Sequence, residues 1–284
     1  MLETDFSQNW KTVKSHFTLE KLLTAFRSTE NRGVVFKYDD SYLASSDAKS
    51  ISISLPLKND EFTQKQCMPF FSGLIPEEYT RKRVSDYLHI SELSTIKLLA
   101  ALGQECAGYI TIADKDVYIV QRYDRIETDG KILRLHQEDM CQALGIITDQ
   151  KYQADGGPSI KDIYQLIKEN SIMPVLDLRA FITNVLFNYL IGNCDAHGKN
   201  YSILYDEKLN IRLSPVYDVA STKVYTSLSR KLSMKIGSHY ELEKIDEDDF
   251  KSLADDLKIN PKIIKKILSE LSLKLQDFTP FLTK

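Results

Sequence analysis

The sequence predicts an α+β protein in which a small β-rich unit precedes a mainly helical lobe. Two patterns lead to that expectation. Between Gly33 and Leu57, apolar residues come in short runs or alternate with small polar ones, as strands do. Beyond about residue 121 they recur at three- and four-residue intervals, as helices do. Size agrees, since 284 residues can build one large domain or two small ones.

Taken in order, residues 1–32 read as a helical leader, with Phe17, Leu19, Leu22, Leu23 and Phe26 at roughly helical spacing. Residues 33–112 form the β-rich unit. Val34, Val35 and Phe36 begin one strand, and Ile51, Ile53, Leu55 and Leu57 alternate with Ser and Pro in a second. A helical stretch carrying Arg81, Arg83 and Tyr87 follows. A short apolar helix then runs from Ser94 to Leu102 and stops at Gly103. A strand from Gly108 to Ile112 closes the unit.

Residues 113–284 form the second lobe, opened by a strand over residues 117–120. Phe181, Ile182, Val185, Leu186, Tyr189 and Leu190 give one helix a broad apolar face. Near the end, Asn260-Pro261 supplies an N-cap and a first-turn proline. Ile263, Ile264, Ile267, Leu268, Leu271 and Leu275 are expected to line one side of that final helix. The chain contains no internal repeat.

Several function classes are disfavoured at once. A net charge of −3 supplies no global basic field for nucleic acid. Arg81-Lys82-Arg83 is an isolated run, and the lysines from Lys262 to Lys266 are interleaved with isoleucines, so both read as solvated helix faces. Cys67, Cys106, Cys141 and Cys194 are scattered, without the close pairs of a zinc site or the density of a disulfide scaffold. They read as reduced thiols. No apolar run approaches the ~18–20 residues that span a bilayer, and the polar, acidic start is unlike a signal peptide. The expectation is a cytoplasmic protein with no membrane partner.

One hexapeptide carries chemistry. Asp195-Ala196-His197-Gly198-Lys199-Asn200 sets a carboxylate and a carboxamide five positions apart, directly after the apolar helix. That is the Asp-x-x-x-x-Asn spacing of a kinase catalytic loop. There the Asp accepts the proton of the attacking hydroxyl, and the Asn holds Mg²⁺ against the nucleotide phosphates. A second metal-holding carboxylate should follow a short β-ribbon, and Asp218 stands at that place. Asp and Asn also favour turns, so the spacing alone would suit a plain loop.

Longer strings point the same way. In the first unit they are Ser52-Ile53-Ser54-Leu55-Pro56-Leu57, Phe70-Phe71-Ser72-Gly73-Leu74-Ile75-Pro76 and Ala107-Gly108-Tyr109. In the second they are Gln121-Arg122-Tyr123-Asp124-Arg125, the stretch from Arg134 to Gln142, Asp155-Gly156-Gly157-Pro158, the Asp195 loop and Tyr217-Asp218. Over residues 33–275 the chain resembles the HipA family, serine/threonine kinases that act as bacterial persistence toxins. The resemblance implies a protein-kinase-like second lobe using ATP and Mg²⁺. Asp195 would be the catalytic base, with Asn200 and Asp218 as metal ligands. His197 and Lys199 would sit beside the phosphates, Tyr217 beside Asp218, and Gln121, Arg122 and Tyr123 would form the hinge that meets the adenine.

The resemblance also has a gap. Only fifteen residues separate Gly108 from Asp124, where the family places most of its nucleotide-covering small lobe. Five strands of ~5–6 residues cannot fit there. No glycine-rich phosphate loop or phosphate-binding lysine is visible, and Gln121 stands where the family often has an acidic residue. Losing a phosphate clamp forfeits ~10²–10³ in rate. The expectation is therefore a kinase toxin homologue with severely impaired catalysis and weak nucleotide binding. The alternatives are a degenerate kinase that binds or regulates within a toxin–antitoxin system, and a small-molecule or lipid kinase relative. Family resemblance further implies a helix-turn-helix, HipB-like antitoxin partner, an aminoacyl-tRNA synthetase substrate, and only indirect contact with DNA.

Overall fold

The short apolar run at residues 33–36 finds its partner immediately upstream. In the computed structural model, β1 (Phe26–Thr29) pairs antiparallel with β2 (Gly33–Phe36), Phe26 opposite Phe36 and Thr29 opposite Gly33. The helical spacing expected through Phe26 therefore ends before it, and the rest of the leader lies outside the described residues. Those described are 26–29, 33–38, 40–44, 46, 48, 50–91, 93–95, 98, 123–128, 131–206, 208–225 and 227–278. They form two compact units, one within Met1–Asp149 together with Leu204–Leu209, the other Gln150–Ile203 together with Asn210–Lys284.

Aromatic packing organises the first unit. A short α1 (Asp40–Leu43) is followed by α2 (Gln64–Ser72) and α3 (Glu78–Leu88). Phe36 is fully buried, its ring edge-on to Tyr38 at 4.9 Å and to Phe71 at 5.5 Å. Phe36 and Phe62 also exchange backbone hydrogen bonds of 3.1 and 2.7 Å. Buried side chains of this size each contribute about 1.5–3 kcal/mol, so the cluster rather than the four-residue hairpin holds the unit.

Residues 51–57 are not a strand. Leu55 N–H donates to the Ser52 carbonyl at 3.1 Å, closing a turn. Ile51 N–H donates to the Tyr38 hydroxyl, which donates in turn to the Leu55 carbonyl. The alternation that suggests two sheet faces comes instead from Ser52 and Ser54, whose hydroxyls lie 2.7 Å apart and face polar partners.

The hairpin β3 (Arg125–Thr128) and β4 (Lys131–Arg134) leads into β5 (His136–Asp139) and α4 (Met140–Leu144). These elements belong to the first unit. Glu138 accepts from Ser52 Oγ at 2.7 Å and from the Tyr205 hydroxyl, and the Gln142 amide donates to the Phe70 carbonyl at 2.8 Å. The compact units divide at Asp149/Gln150, with Leu204–Leu209 joining the first. The strands and helix stop expected between residues 99 and 120 lie outside the described residues, as does Cys106. Cys67, Cys141 and Cys194 are buried and unbridged.

In the second unit α5 (Ile160–Asn170) is capped by Ser159, and α6 (Pro174–Ile191) begins on its proline. Phe181, Ile182, Val185 and Leu186 turn inward as expected. Strand β6 (Ser202–Tyr205) runs past the division at Ile203/Leu204 and is followed by β7 (Ile211–Leu213), while β8 (Lys231–Ile236) pairs with β9 (His239–Glu241). The unit ends with α7 (Glu247–Leu257) and α8 (Pro261–Phe278). Asn260 Oδ1 takes the Lys262 N–H at 2.9 Å, so the cap forms as the sequence implies. Ile264 and Ile267 are buried, but Ile263 is 42% exposed. It lies about 100° round the helix from Ile264, at the edge of the buried stripe.

Candidate functional site

The loop after α6 is shaped by a glycine. Gly192 has φ +70°, and a Cβ there would lie 2.8 Å from Lys223 Cβ, so both conformation and space require its hydrogen side chain. Beyond it the backbone is tied on two sides. Cys194 N–H donates to Thr222 Oγ1 at 2.8 Å, and the Cys194 carbonyl accepts from Ser233 Oγ at 2.7 Å. Asn193 Oδ1 accepts the Asp195 N–H at 3.1 Å, while its amide nitrogen reaches Asn188 Oδ1 at 2.9 Å. Pairing each polar group in this way fixes the loop's shape.

Asp195 presents an exposed carboxylate from that held backbone. Its Oδ1 accepts from the Tyr152 hydroxyl at 2.8 Å. His197, 6% exposed, meets the Tyr152 ring edge-on at 5.3 Å. Gly198 N–H donates to the Lys151 carbonyl at 3.3 Å. Asn200 accepts the His197 N–H on Oδ1 at 3.1 Å and donates through Nδ2 to Asp218 Oδ2 at 2.5 Å.

Asp218 arrives through the ribbon β6–β7. Its φ of +54° is left-handed, a region that Asp enters more readily than most residues. The preceding Tyr217 anchors it, since its hydroxyl donates to the Lys199 carbonyl at 2.6 Å and lies 2.6 Å from Ser202 Oγ. The structure thus brings the Asn200 and Asp218 side chains into contact, with Asp195, His197 and Lys199 on the same loop. Gln121 and Arg122 lie outside the described residues, and Tyr123 belongs to the first unit. Two contributors were not singled out in the sequence. Tyr152 stands three residues before the Asp155-Gly156-Gly157-Pro158 string, and Thr222 stands just after Asp218. Nothing local marks either one, because their partners are 43 and 28 residues away.

Chemically, the site offers one carboxylate as a proton acceptor and a carboxylate–carboxamide pair as hard oxygen donors. Among the described residues no three His, Cys, Asp or Glu side chains cluster in a way that could hold a metal.

Comparison with known families is decisive at one level. The sequence profile of the HipA-like C-terminal domain matches residues 71–277, and that of the HipA N-terminal domain matches residues 18–113. This chain belongs to the HipA family. Among its relatives, "Putative kinase Y4mE" of Sinorhizobium fredii is 24% identical, with 88% of this chain and 87% of that protein aligned. The serine/threonine-protein kinase toxin HipA of Shewanella oneidensis is 31% identical over 56% of this chain, a match spanning 40% of that protein's length. A solved chain from the HipA, HipB and operator DNA complex of Shewanella oneidensis MR-1 superposes with a TM-score of 0.74. That likeness covers 88% of this chain and 85% of the other at 18% identity, and it bears on the α+β fold.

The alignment to Y4mE carries one more fact. It runs over 366 positions although this chain has 284 residues, so the relative holds at least 82 residues that have no counterpart here.

Proposed function

We propose that this chain is a HipA-type serine/threonine kinase homologue whose phosphoryl transfer from ATP to a protein hydroxyl is severely reduced. The observation that carries the reading is the contact between Asn200 and Asp218 beside the loop that presents Asp195. The donor set fits Mg²⁺, which takes one or two protein oxygens and completes its octahedron with water and phosphate. Asp218 offers a carboxylate, and Asn200 Oδ1 has a lone pair beyond the one used by His197 N–H. Bound magnesium would neutralise charge on the nucleotide phosphates. Asp195 would accept the proton of the attacking hydroxyl, His197 and Lys199 would flank the phosphates, and Tyr217 would hold Asp218 in place. Gln121, Arg122 and Tyr123 would meet the adenine.

Reduced activity follows from the fifteen residues between Gly108 and Asp124, and the surplus length of Y4mE supports it. That same observation favours a second reading, a degenerate kinase that acts by binding. In either case the partner would be a HipB-like helix-turn-helix protein, through which DNA contact would be indirect. The substrate of a working enzyme would be an aminoacyl-tRNA synthetase. No helix among the described residues is long and apolar enough to cross a membrane, and we assign the protein to the cytoplasm.

Two measurements test this. Calorimetric titration with ATP should show weak binding that strengthens with Mg²⁺, and tight binding would mean the missing contacts are supplied elsewhere. Labelled ATP with a synthetase panel should show slow transfer by wild type and none by Asp195→Ala or Asp218→Ala. Brisk transfer by wild type would defeat the impaired reading. Equal inertness of all three, with HipB-like binding retained, would leave the binding protein.

A further inference from the structure

The segment that faces the Asp195 loop is built around a closed turn. Tyr152 carbonyl accepts from Asp155 N–H at 3.0 Å and from Gly157 N–H at 2.8 Å, folding the chain back on itself. A Cβ on Gly157 would lie 2.4 Å from the Gln150 carbonyl oxygen and 2.7 Å from that of Tyr152. Both are backbone atoms that cannot swing aside, so only glycine closes this turn. Gln153 adds an anchor, its side-chain oxygen accepting Lys235 N–H at 2.9 Å. Every one of these contacts fixes the place of Tyr152.

What Tyr152 does from that place is specific. Its hydroxyl donates to Oδ1 of Asp195 at 2.8 Å, and its ring braces His197 edge-on. The pair lies at the surface, so water could satisfy both groups if they parted and the bond adds little to stability. Orientation is the effect that remains. A carboxylate on an exposed loop turns about two side-chain torsions, and a donor pinned to one oxygen selects a single setting, with the other oxygen left to meet an incoming hydroxyl.

We infer that Tyr152 is a positioning residue that orients the Asp195 carboxylate for proton acceptance, and that the Gly156-Gly157 turn exists to deliver it. The inference rests on the kinase reading above. It assigns work to a residue that contacts neither metal nor phosphate.

The test uses the full chain and two readouts. Tyr152→Phe keeps the ring and removes the hydroxyl. It should lower kcat for phosphotransfer by roughly tenfold or more, the size of one hydrogen bond to a charged group, while KM for ATP and the melting temperature stay unchanged. Independently, the protein is labelled with 3-fluorotyrosine and the residue 152 resonance is assigned by its loss in Tyr152→Phe. That resonance should shift in Asp195→Asn more than any other tyrosine. An unmoved resonance overturns the inference, because the contact is then absent. Unchanged or raised kcat in Tyr152→Phe with an active wild type overturns it alone, the raised rate showing that the hydroxyl obstructs. A wild type with no phosphotransfer overturns the kinase reading and this role with it, leaving the fluorine shift to report a structural contact only.

Discussion

Glu138 and Asp195 are both carboxylates that accept a hydrogen bond from a tyrosine hydroxyl, yet they sit in different units under opposite conditions. Glu138 is fully buried, paired with Tyr205 and with Ser52. Asp195 is exposed at the end of a loop, paired with Tyr152. In the first case desolvation governs, and burial pushes the Glu138 carboxyl up to about 7 against the pull of its hydrogen bonds. In the second, water competes for every bond. The same chemical pair is therefore a structural element where it is dry and an orienting device where it is wet.

The largest expected contrast is in stability. Glu138→Ala strands the Tyr205 phenol in the core, at about 1–3 kcal/mol, or roughly 3–5 kcal/mol with the lost packing, while the Ser52 hydroxyl keeps Ser54 Oγ at 2.7 Å. Asp195→Ala should stay within about 0.5 kcal/mol, as surface changes do. Urea titration of both variants checks this, and comparable losses would erase the distinction.

A finer version removes only the phenol oxygens. Tyr205→Phe leaves one carboxylate oxygen short of a partner and should cost about 1–3 kcal/mol, whereas Tyr152→Phe should be within about 0.5 kcal/mol. Amide exchange at Phe36 and Leu55, whose N–H groups are bonded within the first unit, should speed up only in Tyr205→Phe.

The smallest effect is on pH dependence. Glu138 rises from 4.5 to about 7 on folding, so its contribution is fully present below about pH 4.5 and is lost as pH rises through 7. His136 runs the other way. Burial lowers it from 6.5 to about 4, so its share is present above 6.5 and lost as pH falls through 4. The two oppose each other between about 4.5 and 6.5. Glu138→Gln should therefore remove a destabilising slope between about pH 4.5 and 7 and leave the His136 slope visible. A wild type and variant with parallel pH profiles would show that Glu138 titrates normally.

The sequence made one of these regions far more legible than the other. The Asp195 loop is local: a long apolar helix, a glycine, then Asp and Asn at fixed spacing, with Asp218 just past a ribbon. The motif's residues are neighbours in the sequence, so reading along the chain finds it, although Thr222, Ser233 and Tyr152 hold it from far away. The Glu138 network joins Ser52, Glu138 and Tyr205, which are 86 and 67 positions apart. Nothing near Ser52 says that its partner is a buried acid, and alternation there imitates a strand. The β3–β4 hairpin does have a local sign, the Asp129-Gly130 pair in the sequence between its strands. Ile263 shows the reverse failure, an apolar residue that shares a helix with the core stripe but not its face.

Tyr205 belongs to the first compact unit although the rest of that unit ends at Asp149. This makes synthesis order matter. Chains emerge from the ribosome amino end first, so Glu138 is made well before the phenol that satisfies it. Until residues 204–209 appear, the nascent first unit must either leave Glu138 wet or bury it incompletely paired. A single cut between Asp149 and Gln150 would likewise not yield two self-sufficient halves. Split versions of this protein should recover the first unit only when the fragment that carries Tyr205 is supplied in trans.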